Sequence, residues 1–113
     1  MSTSEIDNII QKRDSLLAEI VEINQQMEDI GVAHHSEALY QANINLYVFR
    51  RDCAKTHAQR IDLQKKIIEI ENNHVSVIEK RLITGTVSVI DKLKAQNSAL
   101  AAKQTLLELQ QNS

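Results

Sequence analysis

The chain has 113 residues, a length that fits one domain. It contains no proline and two glycines, and only 3% of its residues are aromatic, a composition typical of few turns and long helices. Its formal net charge of −2 excludes the basic composition of a general nucleic-acid-binding protein. Cys53 is the only cysteine, which excludes a disulfide within the chain.

The N-terminal sequence MSTSEID is polar and acidic, which is unlike a secretory signal peptide. The longest uncharged and mainly apolar run covers residues 38–49. This run is too short to span a bilayer, which takes about 20 residues. We therefore expect a cytoplasmic protein that does not bind a membrane.

The first predicted helix covers about residues 5–30. Positions spaced alternately by three and four form a heptad seam that is apolar except at Arg13, and its members are Ile6, Ile9, Arg13, Leu16, Ile20, Ile23, Met27 and Ile30. Ser4 with Asp7 has the spacing of a capping box at the start of the helix. Gly31 stands where a helix terminator is expected.

The second predicted helix begins after an N-cap at Ser36 and continues to about residue 83, because this stretch contains neither glycine nor proline. Its weakest point is the polar stretch 72–74, where the helix is either continuous or interrupted. His34 and His35 are expected in the preceding loop. Since this helix would be twice as long as its neighbours, it is the centre of the expected architecture.

The third predicted helix covers about residues 87–110, and Ser88 with Asp91 offers a capping box at its start. Its apolar face is expected to contain Ile90, Leu93, Asn97, Leu100 and Leu107. Gly85 marks the boundary with the second helix, although a single glycine costs only about 1 kcal/mol in a helix. A merger of the two helices through Gly85 therefore remains an alternative.

These elements predict an all-α fold: an elongated, coiled-coil-like bundle in which three helices form the single domain 1–113. The first and third helices are expected to fold back on the two halves of the long central one. Two helices side by side cannot cover a broad apolar face. We therefore expect the chain to form a homo-oligomer, with a dimer favoured.

Residues 38–49, ALYQANINLYVF, contain no charge and are apolar on more than one helix face. All the aromatic residues of the chain fall here, and aromatic side chains are enriched at the centres of protein interfaces. This stretch is the predicted interface, for which we select Tyr40, Ile44, Tyr47, Phe49 and the neighbouring Arg51. The alternative is that the stretch is an internal helix of a tighter monomer.

No motif predicts catalysis, a metal site or a cofactor. The sequence lacks a glycine-rich phosphate loop, a nucleophile elbow and an HExxH motif. Cys53 and His57 lie four residues apart and would share a helix face, but a zinc site needs two further ligands. We therefore expect that the protein is not an enzyme.

The leading functional hypothesis is a non-enzymatic oligomeric regulator, inhibitor or adaptor that binds an unidentified partner protein through helix packing. One alternative is a structural coiled-coil subunit of a larger assembly. Another is a nucleic-acid-binding bundle that uses the basic patch of Arg50, Arg51 and Lys55. Acidic residues are interspersed with this patch, so nucleic acid is the less favoured partner.

Overall fold

The computed structural model describes residues 2–31 and 35–112; for His35 it describes the backbone alone. Within this part of the chain there are four helices and no strand, which confirms the all-α prediction. The helices are α1 (Thr3–Asp29), α2 (His35–Asp52), α3 (His57–Ile83) and α4 (Val89–Gln111). His34 and the side chain of His35 lie outside the described residues, as does most of the first loop. No helix among these four is long and apolar enough to cross a membrane.

The prediction of three helices with one long central helix is wrong, because the chain leaves the helical conformation between Asp52 and His57. Thr56 is the N-cap of α3: its backbone is extended, and its side-chain oxygen accepts a hydrogen bond of 3.1 Å from the backbone N–H of Gln59. A threonine hydroxyl that captures a backbone N–H competes with helix continuation. The break therefore needs neither glycine nor proline.

The start of α1 also differs from the prediction. Its N-cap is Ser2, which forms a reciprocal capping box with Glu5, and Ser4 lies inside the helix. Ser36 likewise lies inside α2 and is not an N-cap. The capping box of Ser88 and Asp91 at the start of α4 is confirmed.

Gly85 ends α3 in the way that helices end at a left-handed residue. Its φ is +78°, its N–H donates to the carbonyl of Leu82, and the N–H of Thr86 donates to the carbonyl of Arg81. This is the double hydrogen bond of a Schellman motif, which favours glycine because other residues are strained at positive φ. Gly85 therefore separates α3 from α4, whereas α3 runs without interruption through 72–74.

The helices form two compact units, one ending at Cys53 and the other beginning at Ala54. In the first unit α1 packs on α2, and only five residues separate these helices, so they run antiparallel. The Arg50 side chain donates two hydrogen bonds, of 2.8 and 3.0 Å, to the carboxylate of Asp14. Ala42 and Leu46 are buried and share a helix face with Arg50, so this face of α2 contacts α1.

In the second unit α3 packs antiparallel on α4. The side-chain amide of Gln64 donates to the carbonyl of Ala102 over 2.8 Å, and Nε2 of His57 lies 2.7 Å from the carbonyl oxygen of Leu109. From the His57–Leu109 contact to the Gln64–Ala102 contact, the chain advances by seven residues along α3 and goes back by seven residues along α4, as antiparallel helices require. The buried residues between the two helices are Gln64, Ile67, Glu71, Ile78, Ala95, Ala99 and Ala102.

Candidate interaction surfaces

The face of α1 that contacts α2 is not the predicted seam. Asp14 belongs to a second set of positions at spacings of three and four, and its pairing with Arg50 shows that this set faces α2. Ile10, Leu17 and Val21 lie in the same set and are half-buried. Each of these positions follows a seam position by one residue, so the two faces differ by about 100° around the helix.

The predicted seam of α1 is therefore left open except at Met27, which is half-buried. We use the name α1 seam for the six positions Ile6, Ile9, Arg13, Leu16, Ile20 and Ile23. Its five aliphatic side chains are each 43–55% exposed, and among the residues of α1, all of which the structure describes, none is buried. These branched aliphatic side chains form a continuous exposed stripe rather than a scatter of single exposed residues.

The predicted apolar face of α4 is also uncovered. Its leucines and isoleucine are 52–63% exposed, and they are Ile90, Leu93, Leu100 and Leu107. Ala95, Ala99 and Ala102, which are buried against α3, each follow a position of that face by two residues. Two residues correspond to about 200° around a helix, so the leucines lie nearly opposite the alanines. The sequence pattern identified an apolar stripe but not the face by which the helix packs.

The predicted interface residues of α2 lie on more than one side of the helix. Tyr40, Ile44, Tyr47, Phe49 and Arg51 are all half-buried in the structure. Two of them, Ile44 and Phe49, line an open groove of about 690 Å³ in the first unit. This groove also includes Arg13 and Leu17 of α1, so it borders the α1 seam.

Two arginines of the first unit lie over aromatic rings of α2. The guanidinium of Arg13 lies 4.6 Å from the centre of the Phe49 ring, and that of Arg50 lies 5.5 Å from the centre of the Tyr47 ring. A guanidinium over an aromatic face is stabilised by the ring quadrupole. Arg13, the single charged position of the seam, is therefore directed toward α2.

An ion pair between Asp14 and Arg50 joins α1 to α2. Each side chain is about one-third exposed, at 32% and 34% respectively. The hydrogen bonds from Arg50 hold the pKa of Asp14 below its ordinary value of 3.8, and partial burial opposes this effect without cancelling it. The same hydrogen bonds raise the pKa of Arg50. The pair is therefore charged at neutral pH.

The predicted nucleic-acid patch is divided by the break between α2 and α3. Arg50 is paired with Asp14, and Arg51 contacts the carboxylate of Asp52 at 3.0 Å. Lys55 lies outside the helices, in the connection between them. Both arginines thus already have carboxylate partners, and nothing in this geometry favours binding of phosphates over a salt-bridged surface.

The pair Cys53 and His57 does not lie on one helix. Cys53 follows α2, whereas His57 is the first residue of α3 and uses its Nε2 toward the carbonyl of Leu109. Because a carbonyl only accepts, Nε2 carries the proton of the imidazole in this contact. In the part of the chain that the structure describes, no group of three or more histidine, cysteine or acidic residues could hold a metal ion.

Comparison with known proteins found no family model, no curated protein and no solved structure that matches this chain.

One signal in the sequence marks the break that the prediction missed. Thr56 and Gln59 form the pattern T-x-x-Q, which is a capping signature of the kind recognised at Ser88 and Asp91. Sequence reasoning also missed Gln64, which is only 1% exposed in the structure. A buried amide needs a partner, and the carbonyl of Ala102 provides one.

Proposed function

We propose that this protein is a non-enzymatic interaction module that docks a helical surface of another polypeptide onto the first unit. The observation that supports the proposal is the α1 seam: five half-exposed aliphatic side chains in line on a helix that already packs on α2 by a different face. Burial of such side chains is the main favourable contribution to helix association.

The groove of the first unit extends this surface toward α2. It contains Ile44 and Phe49, which the sequence selected as interface residues, beside Arg13 of the seam. A helix that packed on the seam would also cover the groove, since a ridge of side chains fits the depression between two neighbouring helices. The proposed docking surface therefore combines the α1 seam with Ile44 and Phe49.

The test compares two isoleucine substitutions in the full chain. Ile20→Gln places an amide in the middle of the seam, whereas Ile83→Gln changes an isoleucine that is 86% exposed at the end of α3. Each variant and the unchanged chain are examined by light scattering for mass and by affinity capture from a lysate of the source cells. Circular dichroism checks that the helical content of the three proteins is equal.

We expect Ile20→Gln to reduce association, whether with the chain itself or with a captured protein, and Ile83→Gln to leave it unchanged. If both variants matched the unchanged chain in mass and in captured proteins, the α1 seam would not be a docking surface. Loss of association in both variants would equally contradict the proposal, because the effect would not be specific to the seam.

A further inference from the structure

We propose that the polypeptide docked on the α1 seam is a second copy of this chain, with its own α1 lying antiparallel to the first. This inference rests on the proposed function and names the partner. It is carried by the arrangement of charges beside the seam, which is complementary to itself in one orientation only.

The seam matches itself layer by layer when two α1 helices run in opposite directions. In the register centred between Arg13 and Leu16, Ile6 faces Ile23 of the second copy, and Ile9 faces Ile20 of the second copy. Arg13 then faces Leu16 of the second copy. Every layer thus joins two half-exposed aliphatic side chains, except for the two layers that contain Arg13.

The charged residues on the outer flank of the seam fit the same register. Lys12 and Glu19 are exposed and occupy the heptad position that directly precedes seam residues Arg13 and Ile20. In the antiparallel register Lys12 lies opposite Glu19 of the second copy, and the two-fold symmetry repeats this pair. Within the described residues no ion pair already uses either side chain.

A parallel arrangement lacks these advantages. It places Arg13 against Arg13 of the second copy at the same level, and like charges in opposing positions are destabilising. It also sets Lys12 and Glu19 opposite Leu17 and Asn24 of the second copy, which carry no charge. Charge complementarity therefore selects the antiparallel orientation.

The charge of Arg13 does not oppose this packing, because of where its guanidinium lies. Its guanidinium lies 4.6 Å from the centre of the Phe49 ring, on the side of the seam that borders the groove. The charge is therefore held against the aromatic face of α2, while the aliphatic stem stays at the seam. With both α2 helices on this side, the assembly is a four-helix bundle whose interior includes the two grooves.

The exposed stripe of α4 offers no equivalent match in an antiparallel pair. An antiparallel pair of α4 helices in the corresponding register sets Asn97 against Leu100 of the second copy, and Gln96 against Lys103 of the second copy. Neither combination provides charge complementarity. For this reason we assign the antiparallel pairing to the α1 seam and not to the α4 stripe.

Reversal of the flanking charges tests the orientation. Lys12→Glu alone and Glu19→Lys alone each replace two attractive pairs with two repulsive ones, and we expect about a tenfold rise in the dimer dissociation constant at low salt. The double variant Lys12→Glu with Glu19→Lys restores both pairs and is expected to recover the original constant. Sedimentation equilibrium measures all four proteins, and the recovery shows that the single variants are folded.

Cysteine pairing gives an independent readout in a Cys53→Ala background. Ile9→Cys and Ile20→Cys variants that carry tags of different mass are mixed and oxidised. The antiparallel register predicts a disulfide between the two different variants and little linkage of either variant with itself. Self-linkage of each single variant would show a parallel pair and overturn the proposal.

The outcome for the second copy is separate from that for the proposed function. If the unchanged chain were a monomer while Ile20→Gln abolished capture of another protein, the seam would be a docking surface for a different partner, and the second-copy proposal would be wrong. If the double charge reversal failed to recover association that each single reversal weakened, the antiparallel register would be wrong. A dimer that recovers on double reversal supports both proposals.

Discussion

The two helical hairpins of this chain are held together by different kinds of contact. In the described part of the chain, the α1–α2 hairpin has two buried residues, Ala42 and Leu46, whereas the α3–α4 hairpin has seven. The first hairpin is joined by a partly exposed ion pair, and the second by buried alanines and a buried glutamine amide. A hairpin with little interior of its own depends more on what covers its open face.

The small side chains of α4 explain the tighter second hairpin. Ala95, Ala99 and Ala102 allow the backbone of α4 to come close to α3, so the amide of Gln64 reaches the carbonyl of Ala102. His57 in turn binds the carbonyl of Leu109, which belongs to the last helical turn, where carbonyl groups lack the donors that a continuing helix would provide. In the first hairpin none of the residues of α1 is buried, so contact of this kind is missing.

The largest expected effect comes from a larger side chain on the buried alanine face of α4, which Ala95, Ala99 and Ala102 form. Ala99→Leu adds bulk between α3 and α4, and we expect it to lower the free energy of unfolding by about 3 kcal/mol. Ala101→Leu is the matched control, because Ala101 is exposed on the same helix. Urea denaturation gives the stabilities, and hydrogen exchange followed by mass spectrometry locates the change. Equal stability of the two variants would show that the alanine face is not closely packed.

A smaller effect is expected from removal of the buried Gln64 amide. Gln64→Ala removes the hydrogen bond to Ala102 and leaves a cavity, which should cost about 2 kcal/mol. Gln104→Ala, at an exposed position of α4, should change the stability by less than about 0.5 kcal/mol. Urea denaturation of both variants measures this difference. A loss below that of the control would show that Gln64 fills space without stabilising the hairpin.

The ion pair of the first hairpin should respond to acid. Because the pKa of Asp14 is lowered in the folded protein, the pair contributes stability above the unfolded value of 3.8 and loses it as the pH falls through the lowered pKa. We expect Asp14→Asn to cost about 1 kcal/mol at neutral pH, a figure that allows for the partial exposure of the pair. The difference between the two proteins should disappear once the pH lies below the lowered pKa of Asp14.

Denaturant midpoints of both proteins across this pH range make the measurement. Asp62→Asn is the control, since Asp62 is exposed on α3. Asp91 also has a lowered pKa, because the backbone and hydroxyl of Ser88 donate to its carboxylate, so acid weakens the cap of α4 as well. A constant difference between the unchanged chain and Asp14→Asn at every pH would contradict an electrostatic role for this pair.

The smallest expected effect comes from replacing the glycine that follows the first helix of each hairpin, and it should be the same in both hairpins. Gly31 and Gly85 have φ values of +79° and +78°, and a Cβ at either position would meet no atom within 4 Å. Replacement by alanine therefore costs only the backbone strain, about 1 kcal/mol in each case. Thermal unfolding of the two variants should show similar losses. A much larger loss at one site would indicate a contact that the free space does not explain.

The sequence predicted the all-α class and several of the helix ends. Ser88 with Asp91 and the glycines at positions 31 and 85 are local signals, and each fixes the end of a helix by chemistry within one turn. The break before His57 has a local signal as well, in Thr56 and Gln59. The prediction of one long helix relied instead on the absence of glycine and proline from this stretch. The single-domain prediction for residues 1–113 remains a prediction.

The packing faces were less predictable, and the reason is physical. Periodicity finds the most apolar stripe of a helix, but it does not show whether the helix packs within its own chain by that stripe. In α1 and α4 a second face packs within the chain, through Ile10 and Leu17 in one helix and alanines in the other. Small residues have weak hydrophobic signals, yet they permit the closest contact between helices.

The connection at residues 53–56 has a consequence for synthesis of the chain. All the contacts named within the first hairpin can form once Cys53 has left the ribosome, because their residues all precede Ala54, and Asp14 and Arg50 are only 36 positions apart. Short sequence separations favour fast folding, and units fold in the order in which they are made. We therefore expect the first hairpin to leave the ribosome with its aliphatic stripe uncovered, where sister chains on the same messenger RNA are the nearest second copies.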